Sequence, residues 1–224
     1  MSAADLSANL ADVERRVVEA CTRAARPRAA VQLVAVTKRH PPELVRLAWD
    51  AGLRHFGENY AQELRDKHQA LSSCGGVRWH AIGPLQPKNA KYVAKAAHVF
   101  HALERLEVAQ ELSRRRTGAP LQCFVEVNVA GEASKAGLAP AEVAAFIAQV
   151  RALPNLEVTG LMCMPPLDDD PEASRPSFKA LAQLARALAL EHLSMGTTGD
   201  FEVAIEEGAT HVRVGTALFG ERPA

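Results

Sequence analysis

The chain has 224 residues, with 26 Lys+Arg balanced by 26 Asp+Glu and 48% hydrophobic residues. Zero formal net charge argues against a dedicated nucleic-acid or acidic-membrane surface, which needs a sustained positive field, and no apolar run approaches the ~20 residues that span a bilayer. The length fits one large domain with a substantial core.

The first residues carry acids and alternate polar with apolar side chains, unlike the basic start and apolar block of a signal peptide, so a cytoplasmic protein is expected. Leu6, Leu10, Val13, Val17 and Cys21 recur at steps of three and four, which predicts one apolar face of a helix that Pro27 ends. From Val31 a different rhythm begins, in which short β-branched or apolar runs alternate with longer amphipathic stretches. Strands are predicted at 31–37, 55–58, 78–82, 98–101, 122–128, 157–162, 192–194 and 211–214, and helices near 43–51, 60–70, 88–96, 105–115, 140–152, 175–190 and 201–207. Gly52, Gly118 with Pro120, and Gly208 sit where helices should stop. This alternation predicts a (β/α)8 TIM barrel with an extra N-terminal helix, a single domain over 1–224, with a doubly wound open sheet as the alternative. The loop 165–176, with Asp168, Asp169 and Asp170, reads as a solvated surface. Cys21, Cys74, Cys123 and Cys163 are dispersed, which fits buried thiols rather than a metal cluster, and no metal site is expected.

In barrels, chemistry gathers where strands end and βα loops begin. Lys38 ends the first strand on the same side as Val34 and Val36. An ammonium at an apolar mouth is pushed by desolvation toward the free amine that attacks carbonyls; a lysine turned outward to solvent is the plainer alternative. After the seventh strand come Ser194, Met195, Gly196, Thr197, Thr198 and Gly199, with Asp200 near the next helix start, and after the eighth come Gly215 and Thr216. Glycines admit backbone N–H groups close to a phosphate and hydroxyls add donors, so these loops fit an anion cup; tight turns alone are the other reading. An amine and a phosphate cup in one mouth describe a pocket for pyridoxal 5'-phosphate. Arg213 would then disfavour a proton on the pyridine nitrogen, weakening the ring as an electron sink. Its alternative is an ion pair with Glu206 or Glu207.

The runs VAVTK with Lys38, HFGENYAQE, WHAIGPLQ, VNVAGEASKAG, GLMCMPP, LSMG and HVRVGTALFG, in that order along almost the whole chain, resemble the pyridoxal phosphate homeostasis protein family, relatives of the alanine racemase barrel domain. The resemblance implies that Lys38 holds the cofactor as an internal aldimine, that Arg213 faces the pyridine nitrogen and that Asn59 lies near the ring. It also implies a phosphate cup from Ser194, Met195, Gly196 and Thr198 with the Gly215 and Thr216 amides, and no established catalytic activity. The chain departs from the family pattern at Thr197 and Thr198, at Ala81 and at Pro87-Lys88-Asn89. The expected function is intracellular homeostasis of pyridoxal phosphate by a monomer that passes it to apo-enzymes. A racemase needs a base on each face of its substrate; Tyr60 and Tyr92 are the only tyrosines, and the length leaves no room for a second domain to supply that base. A class I aldolase would use Lys38 without the cofactor. A protein-kinase reading of VAVTK fails for want of a glycine-rich loop and of HRD and DFG motifs.

Overall fold

The computed structural model describes residues 1–132, 135–166 and 168–221. Parts of the VNVAGEASKAG run (Ala133, Ser134), of the acidic loop (Leu167) and the last three positions lie outside the described residues.

Helix α1 (Ala3–Arg23) opens on a capping box, in which the Ser2 hydroxyl accepts from the Asp5 amide and the Asp5 carboxylate accepts from the Ser2 amide. Leu6, Val13, Val17 and Cys21 are buried as the spacing predicts, with Leu10 partly covered. The helix stops before Pro27, because Ala25 turns left-handed at φ 51°.

Eight parallel strands follow: β1 (Gln32–Val36), β2 (His55–Glu58), β3 (Arg78–Ala81), β4 (Val99–Leu103), β5 (Leu121–Glu126), β6 (Leu156–Met162), β7 (His192–Thr197) and β8 (His211–Val214). Between them run α2 (Pro42–Asp50), α3 (Ala61–Ala70), α4 (Ala90–Ala96), α5 (Leu106–Arg115), α6 (Val143–Arg151), α7 (Arg175–Ala187) and α8 (Phe201–Glu206). Strand β1 pairs with both β2 and β8, with Val34 opposite Arg213, so the sheet closes into a (β/α)8 barrel and the open-sheet alternative falls.

Most boundaries shift by a residue or a few from the sequence reading: strand β1 ends at Val36, so Lys38 lies just beyond it rather than closing it, and three other differences matter most. Strand β5 ends at Glu126, and Val127–Asn128 leave it to bridge Leu138. Helix α7 stops at Ala187, with Ala189 left-handed at φ 52°. Strand β7 continues through Thr197, so Ser194, Met195 and Gly196 belong to a strand whose register with β8 shifts, rather than to a loop. Gly196 sits there at φ +90°, where an added Cβ would fall 2.6 Å from Ala204 Cβ. A short helix α9 (Thr216–Phe219) follows β8 and packs with α8 against α1.

Alternation along each strand sends one set of side chains out under the helices and the other into the barrel. The outer layer is apolar, with Phe56 and Trp79 rings 5.9 Å apart and Phe100, Phe178 and Phe201 fully buried. The inner layer is unusually polar. His80, His101, His192 and His211 turn their rings toward one another and toward Phe124, and Ser194 and Arg213 are buried beside them.

Gly160 on β6 lies so close to β7 that a Cβ would stand 2.0 Å from the His192 carbonyl oxygen. Gly160→Ala should therefore part the β6–β7 pairing and destabilise the fold by roughly 2–4 kcal/mol, read as a fall of roughly 5–15 °C in a thermal melt. An unchanged melting temperature would show that the two strands have room to spare.

Candidate functional site at the barrel mouth

A cavity of about 500 Å³ opens at the C-terminal ends of the strands. It receives Lys38 and Asn59 from one side, Thr197 and Thr198 from another, and Arg213, Gly215 and Thr216 from a third. Val36, Ile82 and Met162 supply apolar wall. Six of the nine residues expected at a site therefore meet in one place. Ser194, Met195 and Gly196 do not line it: Ser194 and Met195 are wholly buried within β7, and Gly196 packs against α8.

Lys38 stands just past β1 on a tight turn in which the His40 amide donates to the Thr37 carbonyl oxygen at 3.0 Å. Arg39 adopts φ 63°, and its amide donates to Glu63 at 2.8 Å. Beneath the turn lies a buried ion pair. Lys67 Nζ on α3 donates to Glu58 Oε1 and to the Thr37 carbonyl oxygen, each at 2.7 Å, and the Thr37 hydroxyl donates to the same Glu58 oxygen. Burial raises the Glu58 carboxyl above the ordinary carboxylate range, against the pull of Lys67 and Thr37. Lys67 thus ties α3 and β2 to the segment that carries Lys38, which fixes the root of that side chain.

The opposite wall is organised by Asp200. Its Oδ1 accepts from the Thr197 amide at 2.7 Å and the Thr197 hydroxyl at 3.1 Å, and its Oδ2 accepts from Ser174 at 2.8 Å. The carboxylate therefore shapes the β7–α8 turn instead of capping its own helix. The Gly215 amide donates to the Thr198 hydroxyl at 3.3 Å, joining the seventh and eighth loops. The first amides of α9 have no acceptor within their own helix and lie at this wall.

Arg213 is 4% exposed. Its guanidinium donates to Ser194 Oγ, to the Cys163 carbonyl oxygen at 3.1 Å and to Met164 Sδ at 2.8 Å. Burial pulls it below the usual guanidinium range. The expected alternative, a pair with Glu206 or Glu207, does not form: Arg175 takes both, at 2.7 and 2.5 Å.

Sequence reading missed Glu126, which ends β5 and lines the cavity. Burial, with Glu104 nearby, pushes its carboxyl up to about 7. The signal was available, since a charged residue closing a barrel strand is the same rule that singled out Lys38. The acidic loop is exposed at Asp168, Asp169 and Asp170, with Asp170 accepting from the Glu172 amide. All four cysteines are buried and free, and burial pushes the Cys123 and Cys163 thiols up to about 12. Among the described residues no group of three His, Cys, Asp or Glu could hold a metal ion, and no helix is long and apolar enough to cross a membrane.

This geometry can be set beside known proteins. Residues 8–223 match the alanine racemase N-terminal domain family. The pyridoxal phosphate homeostasis protein of Pseudomonas aeruginosa is 43% identical over 221 residues, covering 97% of this chain and 96% of that protein. The protein of the same name from Aquifex aeolicus is 41% identical over 221 residues, covering 95% and 96%. Among solved structures, PipY of Synechococcus elongatus PCC7942 with PLP bound superposes with a TM-score of 0.82 at 32% identity, covering 96% of this chain and all of PipY. A barrel closed between β1 and β8, with a lysine and an arginine in one mouth, thus occurs in a chain that belongs to the pyridoxal phosphate homeostasis protein family, within the alanine racemase N-terminal domain family.

Proposed function

We propose that this chain binds pyridoxal 5'-phosphate in the barrel mouth and keeps it available in the cell without turning over a substrate of its own. The observation that carries the reading is the convergence of Lys38 and Arg213 on one cavity whose far wall is built from Thr198, Gly215 and Thr216. The cofactor asks for an amine at its aldehyde, an apolar slot for its ring, a partner at the ring nitrogen and donors at its phosphate. The cavity offers each of these, at about 500 Å³, a volume that suits a small cofactor. Homologues named for pyridoxal phosphate homeostasis, and PipY with PLP bound, support the same ligand.

Lys38 supplies the amine, and the turn pinned by Lys67 and Glu58 delivers it to the mouth. Asn59 lies beside it. Thr198 and the amides at the start of α9 hold the phosphate, with Asp200 keeping the Thr197–Thr198 turn in shape. When bound, pyridoxal phosphate supplies a reversible carbonyl–amine bond and an electron-withdrawing ring. Arg213 carries donors only, so it offers a ring nitrogen a hydrogen bond but no site for that nitrogen's proton. An unprotonated ring draws electrons weakly, which suits holding the group better than carbanion chemistry.

Neither tyrosine supplies the second base that the racemase reading expects. Tyr60 is 46% exposed and Tyr92 lies under Arg65 and Lys91, and neither lines the mouth. The same proposal makes the protein a cytoplasmic monomer that gives up its cofactor to apo-enzymes, since a bond to one amine exchanges with another.

Two outcomes test the site. Borohydride treatment of cofactor-loaded protein, followed by peptide mass mapping, should place the reduced cofactor on Lys38, and Lys38→Ala should abolish the label; a label on another lysine would overturn the assignment. Loaded protein should also show no amino-acid racemisation above background, whereas turnover abolished by Lys38→Ala would make it an enzyme.

Glu126 gives a pH signature. Its carboxyl titrates near 7 folded against 4.5 for an ordinary glutamate, so folding favours the protonated form. The stability this confers is complete below about 4.5 and is lost as pH rises through about 7. In cofactor-free protein Glu126→Gln should therefore leave stability at pH 4.5 nearly unchanged and raise it at pH 8 by roughly 1–3 kcal/mol. Equal effects in thermal melts at both pH values would contradict the assignment.

A further inference from the structure

Below the mouth, the barrel interior holds a continuous line of polar groups that the binding of a cofactor does not by itself require. Arg213 donates to Ser194 Oγ. Ser194 Oγ lies 2.7 Å from His101 Nδ1, His101 Nε2 lies 2.8 Å from His80 Nδ1, and His80 Nε2 lies 2.9 Å from His55 Nδ1. Ser194, His101 and His80 are fully buried, and His55 is half-buried at the N-terminal end of β2, on the far side of the barrel from the cavity. The line crosses β8, β7, β4, β3 and β2.

Proton counting gives this line a direction. A guanidinium only donates, so Ser194 Oγ must accept from Arg213. The hydroxyl has one proton, and its remaining partner is His101 Nδ1. If His101 donated there instead, the Ser194 proton would be left buried without an acceptor, at the cost of an unmade hydrogen bond. Ser194 therefore donates to His101 Nδ1, which leaves the His101 proton on Nε2. That proton is given to His80 Nδ1, and His80 in turn gives its Nε2 proton to His55. Every donor points away from Arg213.

A charged ring would break this order, and the surroundings oppose one. Burial, with the nearby guanidinium charges of Arg78 and Arg213, holds His80 and His101 well below the ordinary histidine range, and His55 falls to about 4. Phe124 stacks on the His101 ring at 4.7 Å and helps fix its plane.

We propose that Ser194, His101, His80 and His55 form a one-way hydrogen-bond chain that positions the Arg213 guanidinium, and through it sets how firmly a ring nitrogen is held at the mouth. The role at the mouth rests on the proposed function; the direction of the chain does not. These four are positioning residues, since none of them lines the cavity. The chain also spreads the charge of a buried cation whose hydrogen-bonded acceptors are all neutral.

Two measurements test it. In 15N-labelled protein without cofactor, two-bond proton–nitrogen correlations should show His80 and His101 neutral with the proton on Nε2; a proton on Nδ1 of either ring, or two protons on one ring, overturns the chain. In spectrophotometric titration with pyridoxal phosphate, His101→Leu should raise Kd roughly tenfold, whereas His101→Gln, which keeps one acceptor and one donor, should stay within about threefold of wild type. Ser194→Ala should weaken binding like His101→Leu and serves if that variant does not fold. Wild-type affinity in the variants, with cofactor uptake by the wild type intact, overturns the positioning role alone. A wild-type chain that takes up no pyridoxal phosphate overturns that role together with the proposed function, and the tautomer result still decides the direction of the chain.

Discussion

The seam between the first and last strands is the constraint on which the mouth depends. Pairing of Val34 with Arg213 and of Ala35 with Val214 closes the barrel and fixes the height of every inward side chain on both strands. Val36 shares the parity of Val34 and lines the cavity one layer above the guanidinium, and the turn that follows β1 brings Lys38 to the same mouth. A slip of one residue in β8 would send Arg213 under the helices. Residues far apart in sequence become neighbours by closure alone, without any loop reaching across.

A second constraint follows from what the seam buries. Two buried cations, Lys67 between α3 and β2 and Arg213 inside the barrel, are stabilised differently. Lys67 meets the Glu58 carboxylate at 2.7 Å, a buried pair in which each charge offsets the other's desolvation. Arg213 instead spends its donors on a hydroxyl, a carbonyl oxygen and a thioether. A carboxylate there would neutralise the arginine and weaken its pull on a ligand. Neutral acceptors hold the guanidinium in place while leaving its charge to act on the mouth, and the histidine line supplies the polarisability that such a cation needs at low dielectric.

The fold was legible because its signals are local and repeated. Alternating strand and helix patterns, with glycines at helix ends, carry a (β/α)8 reading without knowledge of any contact. Lys38 was legible for the same reason, as a charged residue at the end of an apolar run. What escaped depends on register and on partners from distant strands. Ser194 reads as loop because Ser-Met-Gly-Thr-Thr-Gly is turn-like in composition; only the shifted pairing between β7 and β8 shows that Ser194 points down into the barrel. His55, His80, His101, His192 and His211 each look incidental in their own strand, and their convergence appears only when the strands close. Arg213 and Glu206 show the converse, an ion pair allowed by sequence but pre-empted by Arg175 from a neighbouring helix. The family resemblance carried the ligand; it carried nothing about how the arginine is kept in place.

The central claim is that this mouth holds pyridoxal phosphate, and the absorption spectrum of the freshly purified protein tests it most directly. The account predicts a yellow protein with a visible band that borohydride bleaches. A colourless protein that gains no such band when pyridoxal phosphate is added would contradict it.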